Sequence, residues 1–107
     1  MAKYLFRSTY TTEGVRGLID EGGSGRVKQT EELVSRVGGH VESYYFGFGG
    51  ADTYIIVDLP DNSTAAAVRL AVTASGAVET EVIALLTPDE IDQATHQKVG
   101  YRAPGAK

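Results

Sequence analysis

Cysteine and tryptophan are absent from this 107-residue sequence, and methionine occurs only once. Without cysteine there is no disulfide, no thiolate nucleophile and no sulfur-ligated metal. Charged residues interrupt every apolar run well short of the ~20 residues that a membrane-spanning helix needs. The amino-terminal stretch MAKYLFRSTY lacks the long apolar segment of a secretory signal. A basic excess is also missing, since 14 acidic residues against 10 basic ones leave a net charge of −4. Nucleic-acid surfaces draw their affinity from phosphate neutralisation, and here the basic residues are scattered. The expectation is a cytoplasmic protein with neither nucleic acid nor membrane as a partner.

What is present reads as one domain over residues 1–99, with a loosely held tail over 100–107 that packs two glycines and a proline into eight positions. The hydrophobic content of 42% and charged content of 22% are ordinary globular values. A chain of this length buries a single core and has little apolar surface left for a large private pocket.

The segment from Lys3 to Tyr10 alternates, with Tyr4, Phe6, Ser8 and Tyr10 on one face and Leu5, Arg7 and Thr9 on the other. Thr11 or Thr12 caps a helix whose Val15, Leu18 and Ile19 share one side, and Gly22-Gly23 stops it. Ser24 is placed to cap a second helical stretch with Val27, Leu33, Val34 and Val37 as its apolar stripe, closed by Gly38-Gly39. Spacing does not separate one kinked helix from two.

Strands over His40–Phe46 and Thr53–Leu59 flank the glycine-rich Gly47-Phe48-Gly49-Gly50-Ala51-Asp52, a hairpin arrangement. Pro60-Asp61-Asn62-Ser63 turns into an alanine-rich helix that ends at Gly76, and a fourth strand runs from Ala77 to Leu86. Thr87-Pro88-Asp89-Glu90 is a capping box that starts a short terminal helix reaching about Val99.

This order predicts an α+β fold of the ferredoxin-like βαββαβ kind: a four-stranded antiparallel sheet, helices on one face, and an added carboxy-terminal helix. A solvated sheet face reads as polar, yet the first three strands carry large apolar groups on both faces. A second copy of the same sheet is the expected cover, which makes the chain a homodimer or a larger homo-oligomer.

The stretch Ser43-Tyr44-Tyr45-Phe46-Gly47-Phe48-Gly49-Gly50-Ala51-Asp52, followed by Tyr54-Ile55-Ile56-Val57-Asp58-Leu59-Pro60, resembles the signature of the GYD-domain proteins. So do Glu21-Gly22-Gly23-Ser24-Gly25-Arg26, Ala74-Ser75-Gly76-Ala77-Val78 and Leu85-Leu86-Thr87-Pro88-Asp89-Glu90, in the family's order. The resemblance implies a dimeric α/β barrel. It departs at Ala51, where members usually carry tyrosine; Tyr54 is the nearest phenol that could stand in. Relatives of the wider fold include cofactor-free monooxygenases, haem-handling enzymes, isomerases and ligand sensors, an analogy of fold and not of function.

Candidate site residues follow from chemistry. Arg16 and Arg26, with Ser24 in the glycine-rich Gly22–Gly25 stretch, are candidates for an anion, because free helix-start amides and a guanidinium both favour one. Tyr10, Tyr44 and Tyr54 can orient an oxygenated ligand at a sheet–helix cleft, or can simply be core aromatics with hydroxyls at the edge. Asp52 is either a carboxylate at a pocket mouth or the anchor of its turn. His40 is a potential base or ligand and shares its strand face with Glu42, but a metal needs further ligands. No metal and no cofactor is expected. Two functions remain: binding of a small polar or anionic metabolite between sheet and helices, with or without cofactor-independent catalysis, or a non-catalytic structural or regulatory oligomerisation module.

Overall fold

The computed structural model describes residues 1–106. Strand β1 (Ala2–Tyr10) is followed by helices α1 (Thr12–Glu21) and α2 (Gly23–Arg36), strands β2 (His40–Phe46) and β3 (Thr53–Leu59), helix α3 (Asn62–Ala74), strand β4 (Val78–Leu85) and helix α4 (Pro88–Thr95). The sheet order is β2-β3-β1-β4 and all neighbours are antiparallel. This is the ferredoxin-like α+β arrangement. In one chain the sheet is open and does not close into a barrel.

Alternation along β1 decides which face is inside. Tyr4, Phe6 and Ser8 are buried and Tyr10 is half-buried, while Arg7 and Thr9 are exposed. The buried set packs with Val34 of α2, Ile55, Val57 and Leu59 of β3, and Ala65 and Val68 of α3. Helices α2 and α3 therefore cover the same face, and the core lies between them and the sheet.

Each helix end has a local cause. The Gly14 N–H donates to the Thr11 hydroxyl at 3.2 Å, and that hydroxyl donates in turn to the Gly76 carbonyl at 3.0 Å, so one side chain caps α1 and ties it to the start of β4. Gly22, at φ 83°, is the whole connection between α1 and α2, which makes them two helices rather than one kinked helix. Ser24 accordingly does not cap α2. It lies inside the first turn, and the cap position belongs to Gly22, which has no side chain to offer.

Helix α2 ends in a Schellman motif. Gly38, at φ 85°, donates to the Ser35 carbonyl, and Gly39 donates to the Val34 carbonyl. Helix α4 begins with the expected reciprocal capping box between Thr87 and Glu90 but stops at Thr95, short of Val99. The Thr95 hydroxyl and the His96 ring both engage the Asp92 carbonyl, which a further helical turn would need.

Asp61 caps α3 by accepting from the Thr64 N–H and hydroxyl, both at 2.8 Å. Those bonds hold its carboxyl below the usual value of 3.8. A depressed folded value means that the contribution is present above the unfolded pKa and is lost as pH falls through the folded one. Asp61→Ala should lower the thermal midpoint at neutral pH, with the gap to the parent closing in strong acid. Melting curves across that range check it; a gap that persists unchanged in acid would show that the cap does not titrate.

Candidate functional site

Cross-strand register places three hydroxyls in one inward-facing row. Ser8 stands opposite Thr53 on one side and Thr80 on the other. The Ser8 and Thr80 hydroxyls are hydrogen-bonded at 3.1 Å, both residues being buried. Thr53 is 1% exposed and its hydroxyl has no partner within the protein. An unpaired buried hydroxyl costs about 1–3 kcal/mol, so this position is held against a penalty unless something enters to meet it.

Space for an entrant exists. Between the sheet and helices α2 and α3 lies a cavity of about 60 Å³. All three hydroxyls line it, among apolar walls that include Phe6, Ile55 and Val68. Its polar end is formed by Tyr10, Arg26, Thr30 and Tyr44. Arg26 and Thr30 are one turn apart on α2, and the Thr30 hydroxyl donates to the Arg26 carbonyl at 3.0 Å. The Arg26 guanidinium is only loosely paired, with a Glu21 oxygen at 3.7 Å. Drug-sized ligands occupy roughly 300–1,000 Å³, so this cavity admits a few heavy atoms.

Burial raises the Tyr10 pKa, the neighbouring Tyr44 phenol adds to the rise, and Arg26 opposes it only in part. Tyr10 is therefore a hydrogen-bonding phenol and not a phenolate at any physiological pH. No carboxylate or imidazole lines the cavity, so its hydroxyls have no adjacent base. The arrangement can hold an oxygenated group and neutralise a negative charge at its polar end.

The other sequence candidates separate from this cluster. Asp52 anchors its turn: its carboxylate accepts from the Tyr10 N–H at 2.8 Å, its own N–H donates to Ser8, and its carbonyl accepts from Gly47. Arg16 and Ser24 are exposed on α1 and α2, outside the cavity lining. Tyr54 points away from the cavity because alternation turns Thr53, Ile55 and Val57 inward. It pairs with Tyr45 on the open sheet face and stands against Gly47. Ala51 is itself buried, at the edge of a polar depression of about 220 Å³ lined by Arg7, Thr9, Glu79 and Glu81.

His40 also lies on the open face. Its Nε2 is 2.8 Å from Asp58, and Lys3 bridges Asp58 at 2.9 Å and Glu42 at 2.7 Å. Bonds to Glu42 and then to Asp58 raise the Lys3 pKa, which keeps an ammonium where a cation would have to sit. Among the described residues, no group of three or more metal-ligating side chains converges.

Ser8, Thr30, Thr53 and Thr80 went unnoticed in the sequence as lining residues. The signal was available, since Ser8 and Thr80 fall on the inward positions of otherwise apolar alternations and Thr53 opens the most apolar strand.

Fold and cavity together define a ferredoxin-like α+β domain with one open sheet face and a small hydroxyl-lined chamber under its helices. The chain belongs to the GYD domain family, whose domain matches residues 4–95. No curated protein and no solved structure matches the chain. No helix is long and apolar enough to cross a membrane among the described residues.

Proposed function

We infer that this domain binds a small oxygenated anion, with the charged group at Arg26, Tyr10 and Tyr44 and a short body directed at the hydroxyl row. The observation that carries this reading is the Thr53 hydroxyl, buried without a protein partner in a cavity that the under-paired Arg26 guanidinium also lines. A short-chain carboxylate has the matching chemistry: a bidentate acceptor for the arginine and a few apolar atoms for the walls. No base lies beside the hydroxyls, so the site serves binding in preference to acid–base catalysis.

The same reading includes a second copy. The open face carries an apolar band of Leu5, Ile56 and Ile83, adjacent to one another across three strands. Tyr45 beside it is 70% exposed. Paired charges flank the band, Lys3 with Asp58 and Glu42 on one side and Arg7 with Glu81, at 3.4 Å, on the other. An apolar centre with a polar rim is the anatomy of a protein interface, and a two-fold pairing of identical faces closes without further growth. The small size of the cavity favours the alternative, a non-catalytic oligomerisation module whose cavity holds only water.

Titration with acetate, propionate and butyrate, followed by NMR, separates the two readings. The binding reading expects saturable shifts of the Arg26, Tyr10 and Tyr44 signals, with affinity reduced at least tenfold in Arg26→Gln and folding unchanged. Absence of saturable shifts at these residues, in protein whose native mass spectrum carries no extra small mass, leaves the oligomerisation module.

A further inference from the structure

Every residue from 86 to 106 is exposed, and none of α4 is buried. Yet α4 is a specified element, with a complete capping box and proline at its first turn. An isolated helix of eight residues is well below the ~12–15 at which helices become marginal in water, so α4 needs a surface to lie on. Its own chain provides none. The radius of gyration is 17.2 Å, against about 13 Å for a compact domain of this length. The longest dimension is 60 Å, about twice the ~30 Å of a nine-residue strand. The arm therefore projects about a sheet's length beyond the domain.

The arm also carries apolar side chains with nothing against them: Leu86 at 61% exposure, Ile91 at 46%, Val99 at 82% and Tyr101 at 76%. Its distal part is basic. From Gln93 to Ala106 the charged residues are Lys98 and Arg102, with His96 beside them and no acid.

A complementary surface lies at the opposite end of the same domain. An apolar groove of about 390 Å³ runs between α1 and the end of β2, lined by Tyr10, Val15, Leu18, Phe46 and Asp52 among others. Helix α1 carries Glu13, Asp20 and Glu21 against the single Arg16, so its surface is acidic. Exposed Ile19 extends the apolar area.

Register fixes the separation of groove and arm. Leu85, from which the arm leaves, pairs with Lys3 at one end of β1, whereas Phe46 pairs with Thr53, the partner of Ser8, toward the other. The arm points away from its own groove. A second copy whose strands run the opposite way brings its groove to the arm, and by symmetry receives the same contact in return.

We propose that the carboxy-terminal arm is an intersubunit strap, its basic apolar tail docking in the α1–β2 groove of a second copy. Tyr10 lines both this groove and the small cavity, so the docked tail covers the cavity's polar end. Each ligand site is then completed by the other chain. The strap requires the second copy described above, but not the anion.

The absence of cysteine makes the test clean, because any introduced thiol is unique. Val15→Cys and Tyr101→Cys chains are made separately, mixed, allowed to exchange and treated with a short bis-maleimide. The expected result is a covalent pair containing one chain of each kind, at least tenfold more abundant than either self-pair. Cross-linking within one chain that bears both substitutions, in place of the mixed pair, would show the arm folding back and overturn the strap. A dimer by light scattering that yields no mixed pair overturns the strap alone. A monomer by light scattering overturns the strap together with the second copy.

Discussion

Gly39→Ala is expected to cost the fold about 2–3 kcal/mol, the upper range for forcing atoms into a packed site, and to lower the thermal midpoint by roughly 10–20 °C for a domain of this size. A Cβ at this position would overlap the backbone carbonyl oxygen of Asp58 and lie 2.7 Å from a methyl of Leu59, which is fully buried. Relief is not available from either neighbour. The carbonyl belongs to the β3 backbone, and the Val34 side chain, 3.2 Å away, is itself buried. Gly39 is also the residue whose N–H completes the end of α2, so a shift that relieved the clash would break the cap.

Gly17→Ala is the matched control. Nothing lies within 4 Å of a Cβ at Gly17, which sits in the interior of α1, so alanine should stabilise by up to about 1 kcal/mol through helix propensity. Denaturant unfolding of both variants decides the matter. Equal effects at the two glycines would mean that close approach at Gly39 is not what sets its identity.

Thr53→Val should move stability and binding in opposite directions. The substitution keeps the shape and removes a buried hydroxyl that has no partner within the protein. Relief of that penalty is expected to stabilise the ligand-free protein by about 1 kcal/mol, or some 4–8 °C in midpoint. The same change should weaken binding of a short carboxylate about fivefold, the ratio that corresponds to a lost bond of ~1 kcal/mol. Calorimetric melting with and without ligand reads both. A Thr53→Val chain that melts lower than the parent in the absence of ligand would show that the hydroxyl already has a partner, and water is the one a cavity of this polarity admits.

Much of this architecture was legible because the local patterns agreed with one another. Alternation in Lys3–Tyr10 assigns the right faces of the first strand, the glycine-rich Gly47-Phe48-Gly49-Gly50 marks the hairpin between the next two, and the order of elements leads to the ferredoxin-like sheet. The Thr87 cap is readable from its capping box, whereas the sequence leaves Thr11 and Thr12 as alternatives for α1 and marks only a turn before α3, whose cap is Asp61. Ser24 misleads. It has the residue type of a cap, but only Gly22 separates α1 from α2, and spacing carries no trace of such a tight joint.

The site was less legible because it depends on which strands become neighbours. Ser8, Thr53 and Thr80 are up to 72 positions apart in sequence and form a row only through the pairing of β3, β1 and β4. Arg26, Tyr10 and Tyr44 stand out in the sequence for their chemistry, and the structure brings them together along one cavity. Tyr54 stands out on the same grounds, and one step of strand alternation places it on the other face.

One irregularity in β2 bears on how the molecule avoids unlimited growth. Between Val41 and Ser43 the register with β3 shifts by one residue, leaving Glu42 as the extra position. Such a bulge bends and overtwists a strand, and β2 is an edge of the sheet. At the other edge, β4 carries Glu79 and Glu81 at exposed positions, so like charges would crowd any second β4 laid beside it. Both rims of the sheet thus resist the addition of a further strand, the route by which exposed edges polymerise into ribbons. Any association is then left to surfaces other than the sheet edges.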